Sequence, residues 1–411
     1  MNENQVSRRA FVKSVGLAGA TSLLTAKAAL AQTATAPANA ATPLKPGDAK
    51  MPARPFGKTG VKVSVLSLGG IFDIAANQLI LKQALDWGVT YWDTAAGYNG
   101  GKSETGIGMY FEKNPQVRKE IFLVTKSGAH DPAGTTASLN QSLERMKTDY
   151  IDMFFLHGLN NAGNLNAEMK AWVEKAKADK KIRFFGFSTH SNMENCLADA
   201  AKLGWIDGIM LKYDFRLMQT DRMQAAVDAC AKAGVGLTAM KTQGGGPVRA
   251  DSEAELKLGG RFIQRGFTEA QAKLKAIWEN EKISAICSQM PNLTVLNSNI
   301  AAALDRTKLT AADHEALRQY ASETRAGFCA GCTELCEAAL AHQAPIGDVM
   351  RSLMYHHRYG DPELAREAFG SLPEAVRQRL AELDFTAAER ACPNGLPIAS
   401  MMKEATAQLF C

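Results

Sequence analysis

The chain has 411 residues, 46% hydrophobic and 22% charged, with 34 glycines, 14 prolines and eight cysteines. This composition excludes a disordered, collagenous or low-complexity chain, and the length suits one large α/β barrel with a smaller appendage. The formal charge is +5, but Arg8, Arg9, Lys13 and Lys27 against Glu3 fall in the first 31 residues, so the remainder carries +2; that argues against a nucleic-acid partner.

Residues 7–13 read Ser-Arg-Arg-Ala-Phe-Val-Lys, and a Gly/Ala-rich apolar stretch follows to Ala29-Leu30-Ala31. This is the pattern of a signal peptide over 1–31, and the paired arginines resemble the twin-arginine type. That route carries folded proteins, so it implies a cofactor inserted before export, use of the twin-arginine export machinery, and a periplasmic location. Residues 32–50, rich in Ala, Thr and Pro, read as a flexible linker. Beyond the N-terminus there is no uncharged apolar run of about 18 residues, the length a membrane span needs.

From residue 62 apolar runs alternate with amphipathic stretches. Strands are predicted at Val63–Leu68, Val89–Asp93, Ile121–Lys126, Ile151–His157, Ile182–Ser188, Gly208–Lys212, Val235–Lys241 and Ile283–Cys287. Helical patterns fall between them at Gln78–Trp87, Ala137–Met146, Ala167–Ala178, Asn192–Leu203, Asp221–Ala233, Ala270–Glu279 and Leu293–Leu304. Eight strands, most followed by a helix, predict a (β/α)8 TIM barrel over 51–307. The rival doubly wound sheet would want a Gly-rich fingerprint after its first strand, and Leu68-Gly69-Gly70-Ile71-Phe72-Asp73 is not one. From Leu309 the pattern is helical, which predicts a small all-α domain over 308–411.

Asp93, Lys126, His157, Ser188 and Lys241 stand at the C-terminal ends of predicted strands, the rim where barrel enzymes build their chemistry. The segments Tyr91-Trp92-Asp93-Thr94-Ala95-Ala96-Gly97-Tyr98, Leu123-Val124-Thr125-Lys126, Asp149–His157 and Ile182–His190 resemble the aldo-keto reductase family over nearly the whole barrel. The resemblance implies a catalytic tetrad of Asp93, Tyr98, Lys126 and His157. A tyrosine of pKa about 10 is a weak base at neutral pH, so a neighbouring ammonium at Lys126 is expected to lower it. Asp93 would hold Lys126, and His157 would donate to the developing oxyanion.

The resemblance also implies a nicotinamide dinucleotide, NAD or NADP, across the barrel mouth. Ser188 and Thr189 would hold its carboxamide, although the family usually has Ser-Asn there. Met240 and Lys241 fall where an aromatic often stacks on the nicotinamide, and Asn299 matches an asparagine at the adenine end. The stretch Ser288–Asn299, where NADP-preferring members place Lys or Arg, has no basic residue, which favours NAD. Lys241, or a loop carrying Arg261 and Arg265, could substitute.

Cys329, Cys332 and Cys336 form C-x2-C-x3-C, and Cys392-Pro393 follows further along. This resembles ferredoxin-type ligation and implies one 4Fe-4S cluster on these four cysteines in a ferredoxin-like cap with helices at Pro345–Met354 and Pro362–Phe369. A four-cysteine zinc site and disulfides remain open readings. Cys196, Cys230 and Cys287 read as core fillers.

The expected activity is an exported NAD(P)-dependent oxidoreductase acting on a small carbonyl or alcohol substrate, with an iron–sulfur centre for electron transfer. The alternative is a non-catalytic electron carrier or cofactor-sensing subunit of a membrane redox complex. Either reading leaves room for a membrane or periplasmic electron-transfer partner.

Overall fold

The computed structural model describes residues 50–247 and 259–410. The signal peptide expected at 1–31 and all but the last residue of the expected linker lie outside the described residues, as do residues 248–258.

The described chain begins with an antiparallel hairpin, β1 (Ala53–Pro55) and β2 (Lys62–Ser64), in which Ala53 faces Ser64. Phe56, in its turn, is fully buried and plugs the N-terminal end of the barrel. A Cβ at Gly208 or Gly236 would lie 2.6 Å from its ring, so glycine at both positions admits the plug.

Eight parallel strands close the barrel. They are β3 (Leu66–Gly69), β4 (Tyr91–Asp93), β5 (Phe122–Ser127), β6 (Ile151–Leu156), β7 (Ile182–Thr189), β8 (Gly208–Lys212), β9 (Gly236–Met240) and β10 (Ala285–Gln289). β10 pairs with both β9 and β3, which completes the ring. Tyr91, Phe122, Val124, Met153, Phe155 and Met210 fill the interior with Phe56, so it is a packed core. The run expected as one strand, Val63–Leu68, divides in two. Ser64 Oγ donates to the Leu66 carbonyl at 2.8 Å, securing the bend between hairpin and barrel.

The surrounding helices are α1 (Gln78–Asp86), α2 (Lys102–Lys113), α3 (Pro132–Arg145), α4 (Ala167–Ala178), α5 (Met193–Leu203), α6 (Asp221–Lys232), α7 (Glu269–Trp278) and α8 (Leu293–Leu304). Side-chain caps start several of them: Asp131 accepts from Gly134 N, Asn166 from Met169 N, and Thr268 with Gln271 forms a capping box. The sequence pattern did not indicate α2, whose Gly106 and Gly108 weaken its helical signal. Packing requires them: a Cβ at Gly108 would lie 2.0 Å from the Arg145 carbonyl oxygen.

The C-terminal region is helical, as expected: α9 (Ala311–Glu323), α10 (Thr333–Cys336), α11 (Ile346–Met354), a π turn Tyr355–Tyr359, α12 (Pro362–Gly370), α13 (Glu374–Arg379), α14 (Thr386–Ala391) and α15 (Ile398–Leu409). Val349, Leu353, Phe369, Leu380 and Met402 belong to its own apolar core. It is seated on the C-terminal rim of the barrel. Asn192 N donates to the Gly331 carbonyl at 2.7 Å, and Arg216 donates to Ala321 O and Thr324 Oγ1 at 2.9 and 2.6 Å. Among the described residues no helix is long and apolar enough to cross a membrane.

Candidate active site at the barrel mouth

Parallel pairing aligns the strand ends, and the register sets what meets there. Asp93 ends β4, Lys126 is the penultimate residue of β5, and His157 directly follows β6. Tyr98 opens a tight turn over Tyr98–Gly101 in which Asn99 and Gly100 hold φ of 50° and 60°. That left-handed pair follows Tyr98 and turns the chain into α2.

Lys126 is 1% exposed. Its Nζ donates to Asp93 Oδ1 and Oδ2 at 2.7 and 2.8 Å, to the Thr94 carbonyl at 2.8 Å, and to Tyr98 Oη at 3.4 Å. The Tyr98 ring stands edge-on to His157, with centroids 5.7 Å apart and planes at 77°. Asp93, Tyr98 and His157 line one cavity of about 460 Å³. The four residues singled out from sequence therefore meet.

Their protonation differs from expectation in one respect. Burial pushes the Tyr98 phenol well above its ordinary value, and the Asp93 charge pushes the same way. The expected lowering by Lys126 does not prevail, because that ammonium is committed to Asp93. Burial also raises Asp93, against the pull of Lys126. Burial, then Lys126 and Arg351, hold His157 well below its ordinary value, so it is a neutral imidazole. Tyr98 and His157 are thus both neutral donors facing one cavity, suited to a substrate oxygen that gains negative charge.

The aldo/keto reductase family profile matches residues 70–305, more than half of the chain. The chain belongs to the aldo/keto reductase family. It is 29% identical over 195 residues to the aldo-keto reductase yakc (NADP(+)) of Schizosaccharomyces pombe, covering 44% of this chain and 55% of that protein. So the chain spans about half the length of that relative. It is 23% identical over 289 residues to the L-galactose dehydrogenase of Arabidopsis thaliana, covering 63% of this chain and 90% of that protein. An aldo-keto reductase from Bacillus halodurans in its holo form shares the fold, with a TM-score of 0.55 at 21% identity over 66% of this chain and 96% of that one.

Aldo/keto reductases use a nicotinamide dinucleotide, and the residues matched to its site are disposed unevenly here. Met240 and Lys241 face the cavity. Ser188 and Thr189 are buried, and their hydroxyls serve the backbone: Ser188 Oγ accepts from Gly158 N at 3.1 Å and Thr189 Oγ1 donates to Ser191 O at 2.9 Å. The next residue, His190, lines the cavity instead. Asn299 is buried and donates to Ser288 Oγ at 3.0 Å. An outer cleft of about 960 Å³ continues from the cavity along the β10–α8 junction, past Ser288, Gln289, Pro291 and Val295. Arg261 and Arg265 lie 3.7 and 3.0 Å from Asp313, so they are engaged at α9.

Sequence reasoning missed two contributors. Cys287 packs against the barrel core as expected but also lines both cavity and cleft, and burial and the Asp93 charge raise its thiol. Its place at the end of a strand was the available signal. The C-terminal region adds Arg351, Tyr355 and Tyr359 to the cavity wall, and no local pattern announces them.

In that region Cys329, Cys332, Cys336 and Cys392 line one small cavity with Ile346, Met350, Leu396 and Ile398. Asn394 joins the two cysteine segments, donating to Phe328 O at 2.7 Å and accepting from Arg325 Nε at 3.1 Å. All four thiols are free, which corrects the disulfide reading for them. Burial raises the thiols of Cys329, Cys332 and Cys336, Cys332 to about 12. Among the described residues, no three His, Cys, Asp or Glu side chains converge closely enough to hold a single metal ion.

Proposed function

We propose that the chain is an NAD(P)-dependent oxidoreductase that interconverts a carbonyl and an alcohol at the barrel mouth. The observation that carries this reading is the unbroken tie from Asp93 through Lys126 to Tyr98, with His157 edge-on to the phenol. The nicotinamide, when bound, supplies or takes the hydride at the substrate carbon. Tyr98 holds its proton at neutral pH and gives it to the carbonyl oxygen, while neutral His157 donates a hydrogen bond to that oxygen. Lys126 and Asp93 fix Tyr98 in place. The outer cleft is the route for the rest of the dinucleotide, and Met240 and His190, rather than Ser188 and Thr189, present side chains to the cavity.

NAD is the cofactor we favour. The β10–α8 junction lacks a basic residue. The substitutes are engaged, Arg261 and Arg265 at Asp313 and Lys241 at Tyr355. The test is nicotinamide absorbance during turnover of a panel of small aldehydes and ketones by the purified chain; absence of turnover with either cofactor would overturn the assignment.

We further propose that Cys329, Cys332, Cys336 and Cys392 hold a 4Fe-4S cluster. Four free thiols around one cavity support it. The cluster, when bound, supplies one-electron transfer. Lys212 donates to the Cys329 carbonyl and places a positive charge beside the set. The twin-arginine pattern at Arg8-Arg9 supports export of the loaded, folded chain to the periplasm, where a membrane or periplasmic partner would exchange electrons with it. Electron paramagnetic resonance of the dithionite-reduced protein, with iron and sulfide counts, tests the cluster.

A binding-only subunit is the second reading. It draws on 31% identity over 175 residues to a Schizosaccharomyces pombe protein named as a voltage-gated potassium channel beta subunit, covering 38% of this chain and 50% of that one. The complete proton-transfer set argues against it.

A further inference from the structure

Two lysines in this site, Lys126 buried and Lys241 half-buried, have opposite partners. Lys126 is paired with the Asp93 carboxylate. Lys241 follows β9 in a left-handed conformation, φ 59°, costly for a residue with a side chain. That backbone sets its ammonium against the C-terminal region. Its Nζ donates to Tyr355 Oη at 3.1 Å and lies 4.5 and 4.9 Å from the ring centroids of Tyr355 and Tyr359. Among the described residues it forms no ion pair with a carboxylate. Its nearest polar partner is the Tyr355 phenol, and an ammonium at hydrogen-bond distance favours that phenol's anionic form. Arg351 lies one helical turn before Tyr355, paired with Asp348 at 3.0 Å, and adds a second cation.

Tyr355 lines the same cavity as Tyr98 and His157. The cavity therefore has two neutral hydrogen-bond donors from the barrel and, from the C-terminal helices, a phenol held by a cation. We propose that this site also catalyses enolisation, the transfer of a proton at the carbon α to a bound carbonyl, with Tyr355 as the base. The α C–H bond breaks and its proton passes to the Tyr355 oxygen. The electron pair moves into the new C=C bond, and the carbonyl oxygen becomes an enolate oxygen stabilised by Tyr98 and His157. Return of a proton to carbon restores the ketone, so no oxidant, reductant or nicotinamide is consumed. The substrate class is a small ketone or aldehyde with an α hydrogen. The proposal rests on the carbonyl-binding half of the function above, but not on hydride transfer.

The electrostatics agree. Burial works to raise the Tyr355 phenol, and Lys241 with Arg351 outweighs it and lowers it, Asp348 opposing them. Burial works to lower Lys241, and Tyr355 and Tyr359 outweigh it and raise it. Asp93, Tyr98, His157, His190 and Cys287 on the barrel and Glu367 on α12 are the other titratable groups on the facing walls. Two phenols in one cavity are thus driven apart in acidity, the arrangement that separates an acid from a base.

Two measurements on the full chain test this. In a near-ultraviolet tyrosinate titration, one tyrosine should ionise ahead of the others, and this early step should vanish in Tyr355→Phe and in Lys241→Met. In D2O without nicotinamide, the protein should accelerate deuterium entry at the α carbon of hydroxyacetone by at least about a hundredfold over buffer, and both variants should return it to the buffer rate. An early tyrosine that persists in Tyr355→Phe, or wild-type exchange at the buffer rate, overturns the proposal. Exchange without nicotinamide-dependent turnover would sink the oxidoreductase reading alone, and turnover without exchange would sink this one alone.

Discussion

Lys126 donates to both carboxylate oxygens of Asp93 at 2.7 and 2.8 Å, yet reaches Tyr98 Oη only at 3.4 Å. The lysine is therefore a clamp held by its carboxylate more than a charge acting on the phenol. Asp93→Asn removes the counter-ion of an ammonium that is 1% exposed. The expected cost is about 3–5 kcal/mol, as for other broken buried pairs, read as a lower urea midpoint with turnover lost alongside. Asp86→Asn, at the exposed Lys82–Asp86 pair on α1, should leave the midpoint in place.

Acid should loosen the barrel mouth through its histidines. His157 and His190 are both held well below 6.5, first by burial and then by the cations around them. The unfolded chain takes up protons at these positions near 6.5 while the folded one does not. Their contribution is complete above that pH and declines as pH falls through it. Melting temperature should drop between pH 7 and 5, and His190→Gln should flatten the slope. An unchanged slope in that variant would remove His190 from the account.

Removal of one of the proposed cluster ligands should act locally. Cys392→Ser is expected to abolish the reduced-state paramagnetic signal and to expose 328–410 to protease. The barrel, with its separate core around Phe56, Tyr91 and Phe155, should keep its melting transition. An undiminished signal would reassign the fourth ligand.

Cofactor choice follows from engaged bases. With Arg261 and Arg265 at Asp313, kcat/KM should favour NADH over NADPH by about tenfold or more. Asp313→Asn, which frees both arginines, should narrow that ratio. A wild-type preference for NADPH would contradict the assignment.

Much of this site is legible in the sequence because a parallel barrel places chemistry at strand ends. Asp93, Lys126 and His157 each sit at or beside the end of an apolar run, and the period of the fold does the rest. Cys287 occupied the same kind of position but was read as filler, since a thiol among apolar neighbours looks like packing. Tyr355 had no comparable signal. It reaches the cavity only because the C-terminal helices seat on the rim through contacts such as Asn192 N to Gly331 O, which no short-range pattern encodes. The protonation of Tyr98 was also not legible, because it depends on where the Lys126 ammonium is directed and on how dry the cavity wall is.

The central claim is that Tyr98 delivers the proton at the carbonyl oxygen. The decisive measurement is single-turnover reduction with Tyr98→Phe, alongside nicotinamide affinity by fluorescence. The account predicts hydride transfer slowed by at least about a hundredfold with nicotinamide affinity unchanged. Hydride transfer at the wild-type rate in that variant would contradict it.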